Sequence, residues 1–173
     1  MRIAATLLTA AVLLAGLCPA YAGDYKSEAL QRVSALEKKY VGLAEATPAD
    51  KFTWRHAEEV RSVSEVFMHV AGANYGIPRA LGTPPPEGFQ MRGYDKSTTD
   101  KAEIVAKLKE SFEHLRKAVE AAGDADKPTK LFRMDMTARG AVLFMLEHLS
   151  EHLGQSIAYA RINGVTPPWS QER

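Results

Sequence analysis

His148 and His152 stand four residues apart in a stretch, residues 145–155, that contains no proline and is rich in helix formers. On an α-helix, positions i and i+4 lie one above the other on the same face. Two imidazoles so stacked can grip one divalent ion from a rigid rod. An i,i+4 histidine pair is also common as plain surface or core filling, so its chemistry depends on what the rest of the chain brings to it.

Stepping by 100° per residue puts His148 and His152 beside Met145, Leu149 and Ser156, at the border of an apolar stripe. His69 lies one turn after Glu65 and Val66 and one turn before Ala73, again on the apolar side of a helix. Unsatisfied polar groups in a core cost a few kcal/mol each, so inward histidines need partners. A metal ion is one way to satisfy all three, and nearby carboxylates or hydroxyls are another. His56 falls in a loop and reads as exposed. His114, one turn past Glu110, reads as half of an i,i+4 surface pair and stays outside the candidate site.

Two other metal motifs fail on the sequence. Residues 148–152 match the inverted zinc-protease pattern H-x-x-E-H, with Glu151 as general base. That pattern takes an acidic ligand well downstream, and Glu172 is the sole acid among the 21 residues that follow His152. A ferritin-like di-metal site requires Glu-x-x-His pairs on two helices, and no glutamate here has histidine three positions on.

The chain that must position these residues begins with an address. Arg2, the apolar run 3–17 and the small residues Ala20 and Ala22 fit an export signal over residues 1–22, cleaved before Gly23. The run is too short to be a convincing spanning helix. Cys18, the one cysteine, lies inside it. A lipoprotein signal is disfavoured by Leu17, where a small residue is expected. The mature chain then has no disulfide, thiol nucleophile or thiolate ligand, which suits a periplasmic or secreted protein.

What remains, residues 23–173, is about the size of one domain. Without Arg2 the basic count falls from 22 to 21, level with the 21 acids. The basic residues are interleaved with acids as on solvated helix faces, with no stripe suited to nucleic acid. No second apolar run follows the leader, so no transmembrane segment is expected.

Helical periodicity organises the rest. Leu30, Val33, Leu36, Tyr40 and Leu43 mark a helix that ends at Thr47-Pro48. Residues 51–61 read as a loop. Ser62 with Glu65 is a capping box that opens a second helix. Residues 83–99 are a long irregular loop with three successive prolines and with Phe89, Met91 and Tyr94 to pack on something. Asp100 with Glu103 reads as a second capping box, and Ile104, Leu108, Phe112, Leu115 and Val119 carry a third helix to a stop at Gly123. Residues 124–130 read as a polar turn region. A fourth helix begins at Met134 or Thr137 and closes at Asn163-Gly164, after which Trp169 docks back on the body. No stretch alternates with period two for long enough to be a strand. Four such helices predict an all-α four-helix bundle with one long loop between helices 2 and 3.

His69, followed 79 positions later by His148-x-x-x-His152 and then Gly154-Gln155, resembles the DinB-like family of helical metalloproteins. Trp54 to Val60, then Arg61-Ser62-Val63-Ser64-Glu65-Val66-Phe67-Met68-His69, and the ending from Tyr159 to Trp169 fit the same family. The likeness covers residues 26–170. It implies a four-helix bundle that binds one divalent ion through His69, His148 and His152, with water at the open positions. It also implies relatives among thiol-dependent transferases and isomerases, and pairing as homodimers. An exported chain departs from that pattern, because the cytoplasmic relatives meet abundant thiols.

Three neutral imidazoles with an open position suit catalysis better than a closed structural site. All-nitrogen ligation suits zinc, nickel or iron(II). Glu65, Glu151 and Gln155 lie within a turn of a ligand and are candidates to orient the rings. The resulting expectation is an exported metal-dependent enzyme, hydrolase or transferase in type. A small-molecule substrate would enter under residues 83–99, near groups such as Tyr75, Tyr159 and Arg161. The alternatives are a non-catalytic metal-binding module and a metal-free helical interaction module.

Overall fold

Residues 24–170 are described by a computed structural model. The leader expected over residues 1–22 lies outside them. Four helices form: α1 (Tyr25–Ala46), α2 (Val63–Gly76), α3 (Lys101–Ala121) and α4 (Ala138–Ile162). Both α1 and α2 pack against both α3 and α4, so the helices run α1, α3, α2, α4 around the bundle. The chain is thus the all-α bundle that periodicity predicts. No helix among the described residues is long and apolar enough to cross a membrane.

Local chemistry sets the helix ends. Asp24 caps α1, accepting from the backbone N–H groups of Lys26 and Ser27. At α2 the capping box closes in both directions. Glu65 N–H donates to Ser62 Oγ at 3.3 Å, and Ser62 N–H donates to Glu65 Oε2 at 2.9 Å. At α3 only half the expected box forms. Asp100 accepts from Glu103 N–H at 2.8 Å, but the Asp100 N–H goes to Thr98 Oγ1 at 3.1 Å, which removes the donor that Glu103 would have met. Gly164, at φ +76°, lets α4 end with Val165 N–H on Ala160 O and Gly164 N–H on Arg161 O, a Schellman closure. Trp169 then packs against the core with the Lys39 ammonium 5.7 Å from its ring.

One element was not expected. Residues 124–137 hold a short antiparallel hairpin, Pro128–Leu131 (β1) paired with Met134–Thr137 (β2), where the sequence reads as polar turn. Its two-residue connection contains neither glycine nor asparagine, the usual signals. Phe132 occupies the left-handed region at φ +55°, where a bulky residue is rare. Thr137 then caps α4 through Gly140 N–H.

Tyr40, Phe52, Phe67 and Phe112 are fully buried at the centre of the core. Tyr40 donates from its hydroxyl to the Leu149 carbonyl at 2.6 Å, tying α1 to α4 one residue past His148. Burial pushes the Tyr40 phenol well above its ordinary pKa, so it stays a donor. Helix α2 is buried nearly all round, and Glu65, His69 and Gly76 are its less enclosed positions. Such a helix needs apolar contact on every face. At its C-terminal half the long loop supplies that contact. Tyr94 Cδ1 would lie 3.2 Å from a Cβ built on Gly72, and Met91 reaches across Gly76. The two glycines form the notch that seats the loop.

Candidate metal centre

His69 comes from α2, and His148 and His152 come from the adjacent α4. Their ligand-capable nitrogens all lie within 4.8 Å of one another. His69 Nε2 and His148 Nε2 are 3.0 Å apart. Two nitrogens that share one ion at ~2.1 Å each stand about 3.0–3.4 Å apart at ordinary coordination angles. The ring centroids of His152 lie 4.6 Å from those of both His69 and His148, with the rings edge to face.

The hydrogen bonds around the rings decide which nitrogen is free. His152 Nδ1 donates to Gln155 Oε1 at 2.9 Å, since an amide oxygen can only accept. That tautomer leaves His152 Nε2 with a lone pair, as a metal ligand requires. Gln155 is fixed in turn by its Nε2, which donates to the Tyr159 hydroxyl at 3.2 Å. Tyr159 stands edge-on to Trp54, ring centroids 5.2 Å apart. His148 Nδ1 is buried and meets no protein partner.

Burial keeps two of the rings, His69 and His148, neutral. Burial is the main cause that lowers His69 to about 4, assisted by the charge of Arg61 and by His152 and His148, with Asp95 opposing. Burial likewise lowers His148 to about 4, assisted by His152 and Arg61. Neutral imidazole is the ligating form. The donor set therefore fits a divalent ion: three imidazoles gathered in one half-buried place, two of them held neutral by burial.

A cavity of about 490 Å³ opens beside the cluster, lined by Arg55, Val60, Arg61, Asp95, Lys96 and Gln155 among others. The largest cavity, about 850 Å³, lies between α1 and α3 beneath Trp169 and touches none of the three histidines. The smaller cavity does not touch the histidines either, but its wall includes Gln155, whose side chain bonds His152.

Of the side chains expected to orient the histidines, Gln155 alone bonds one of them, His152. Glu65 instead serves the capping box and Arg55, whose Nη2 it meets at 3.0 Å. Glu151 is exposed. Tyr75 and Arg161 do not line the cavity, and of residues 83–99 only Asp95 and Lys96 reach it. His56 is exposed, as expected. His114 departs from expectation. Its Nε2 is buried without a partner and its ring lies 5.3 Å from that of Tyr75, because α2 covers that face of α3. Arg61 and Asp95 were not foreseen. They are 34 residues apart in sequence, and only the path of the long loop brings them together.

The model of the DinB superfamily matches residues 32–156. The chain belongs to the DinB superfamily. A solved DinB-like protein from Bacillus cereus ATCC 10987 superposes with a TM-score of 0.72 over 82% of this chain and 95% of that one, at 16% identity. That likeness speaks for the fold. Among curated proteins none matches.

Proposed function

We propose that His69, His148 and His152 bind one divalent metal ion, and that this DinB-superfamily protein is a metal-dependent enzyme of hydrolase or transferase type. The observation that carries the reading is convergence. Nε2 of His69 and of His148 face each other, one nitrogen of each of the three rings lies within 4.8 Å of the others, and no carboxylate or backbone carbonyl of the described residues takes a hydrogen bond from them. A shared cation accounts for that direction, whereas hydrogen-bonded core histidines would each face an acceptor.

The absence of a fourth ligand group among the described residues supports catalysis over a structural role. Glu65, the nearest acid on α2, is held away by Arg55 and its own helix cap. A divalent ion there would supply a Lewis acid that polarises a substrate oxygen or acidifies water. Gln155 and Tyr159 hold His152 in the ligating tautomer. The cavity walled by Gln155, the partner of His152, supports this reading by offering space for a small substrate next to the cluster. Nitrogen ligation favours zinc, nickel or iron(II). Export follows from the leader at residues 1–22, and N-terminal sequencing of the secreted or periplasmic protein checks it.

Metal analysis of the protein purified without a histidine tag is the test. Near-stoichiometric zinc, nickel or iron is expected, lost in His69→Ala and in the double variant His148→Ala/His152→Ala. Protein that takes up none of these ions on reconstitution would sink the reading.

A further inference from the structure

The cavity beside the histidines is lined by charges that are not equally engaged. The Arg55 guanidinium is committed to Glu65 Oε1 at 3.0 Å and to the Val60 carbonyl at 3.2 Å. Glu65 is committed to Arg55 and to its own cap. Arg61 differs. It meets Asp95 Oδ2 through Nε alone, at 3.4 Å, with its side chain 39% exposed. Its Nη1 and Nη2 remain for something else, and this parallel pair of donors matches the two oxygens of a carboxylate.

Both ends of this contact are braced. Arg61 directly precedes Ser62, whose backbone is fixed by the closed capping box of α2. Asp95 follows Tyr94, whose ring is seated in the Gly72 notch. The backbone is thus set at both ends and the Nε contact with Asp95 restrains the guanidinium, which reduces the cost of ordering it on binding. Gln155 lines the same cavity and bonds His152, and the charge of Arg61 is felt at His69 and His148, so the mouth at Arg61 borders the imidazole cluster.

We propose that this mouth selects a small substrate bearing a carboxylate, held by Nη1 and Nη2 of Arg61 while a neighbouring donor group of the same molecule faces the three histidines. The inference rests on the three-histidine reading. Three cations, Arg55, Arg61 and Lys96, line the mouth against four acids, Glu58, Glu59, Glu65 and Asp95, so the lining has a slight negative excess that repels a phosphate dianion more strongly than a single carboxylate.

Cobalt(II)-loaded full-length protein tests this, since its visible spectrum responds when a ligand enters beside the ion. Oxalate, malonate and succinate are titrated at constant ionic strength, with inorganic phosphate alongside. At least one dicarboxylate is expected to bind more tightly than phosphate. Arg61→Ala should weaken that ligand by roughly ten- to a hundredfold, the scale of lost charge-assisted hydrogen bonds, without weakening cobalt binding, since the charge removed repels the ion. Arg61→Lys should fall between, since an ammonium keeps the charge without the fork. Asp95→Asn removes the same ion pair but keeps the guanidinium, and should bind as well as the parent or better. Equal losses in Arg61→Ala and Asp95→Asn would mean that the ion pair is merely structural and would overturn the proposal. So would tighter binding of phosphate, or no dicarboxylate response in cobalt-loaded protein. Failure of the parent protein to take up cobalt would instead overturn the three-histidine reading on which the proposal stands.

Discussion

Around Tyr75, in the C-terminal half of α2, ring meets ring: Phe89 at 5.2 Å, His114 at 5.3 Å and Tyr94 at 6.2 Å between centroids. Around His69, less than two turns earlier on the same helix, ring nitrogen meets ring nitrogen. Both regions contain a buried polar atom without a partner, Asn74 Oδ1 and His114 Nε2 in the first and His148 Nδ1 in the second. An orphaned atom therefore does not mark the site. What differs is direction. In the first region polar groups run into the protein, as where Asn74 Nδ2 donates to Ser111 Oγ at 3.2 Å and Ser111 Oγ to the Leu108 carbonyl at 2.9 Å. In the second, three titratable side chains converge on one another beside a cavity. One half of α2 is sealed for stability, and the other is left incomplete.

If that division is right, damage to each half should register in a different measurement. The largest effect is expected at the sealed end. Tyr75→Ala removes a buried ring that three others pack on, and should cost about 3–5 kcal/mol of stability. Denaturant unfolding of the metal-free protein measures it. The metal stoichiometry of the folded fraction should be unchanged, and a parallel loss of metal would break the comparison.

The mirror experiment is at Gln155. Gln155→Ala frees His152 to adopt either tautomer and should lower metal affinity by roughly ten- to a hundredfold. Stability of the metal-free protein should change by under ~1 kcal/mol, because the bond lost is half-buried. Competition titration against a chelator reads the first quantity, and thermal unfolding the second.

Acid sharpens the contrast further. In the unfolded chain His69 and His148 take up protons near 6.5, whereas the fold delays this to about 4. Between those values the unfolded state binds more protons, so stability rises with pH. The contribution is fully present above about 6.5 and is lost as pH falls towards 4. Metal-free protein should accordingly lose stability over that window. His148→Met, which fills similar space with a group that does not titrate, should flatten the dependence by about one proton. An unchanged slope in unfolding experiments from pH 4 to 7 would show that the imidazoles are not held neutral.

How much of this was legible in the sequence follows the same division. The helices were readable because apolar spacing is local, and Ser62 with Glu65 announced the start of α2 within four residues. The histidine cluster was readable because i,i+4 spacing fixes two members and the apolar side of α2 places the third. The hairpin at residues 128–137 was not, since Phe132-Arg133 carries no turn signal and its backbone runs against the preference of the residue. His114 looked like a surface partner of Glu110 because nothing within α3 reveals that Tyr75 lies above it. Arg61 and Asp95 escaped for the same reason. Their meeting depends on how residues 83–99 cross α2, and that path is set by space at Gly72 and Gly76 that only the packed structure reveals.

That space provides the smallest and most specific test. A Cβ at Gly72 would stand 3.2 Å from Tyr94 Cδ1 and 3.4 Å from Met91 Sδ. Alanine is the better helix former by about 1 kcal/mol, and a gain of that order is expected at a mid-helix glycine with room to spare. Here the ring of Tyr94 must move by a few tenths of an ångström, and the loop with it. Gly72→Ala should therefore yield no gain, or a small loss, in thermal unfolding. Its more telling effect is expected at a distance. Asp95 follows Tyr94 directly, so a displaced ring should loosen the contact with Arg61 while the three histidines, held by α2 and α4, keep their metal. Gly72→Ala should then alter dicarboxylate binding by a few fold and leave cobalt affinity unchanged. A full 1 kcal/mol stabilisation with unaltered anion binding would mean that the notch does not hold the loop, and that the sealed half of α2 has no part in shaping the open one.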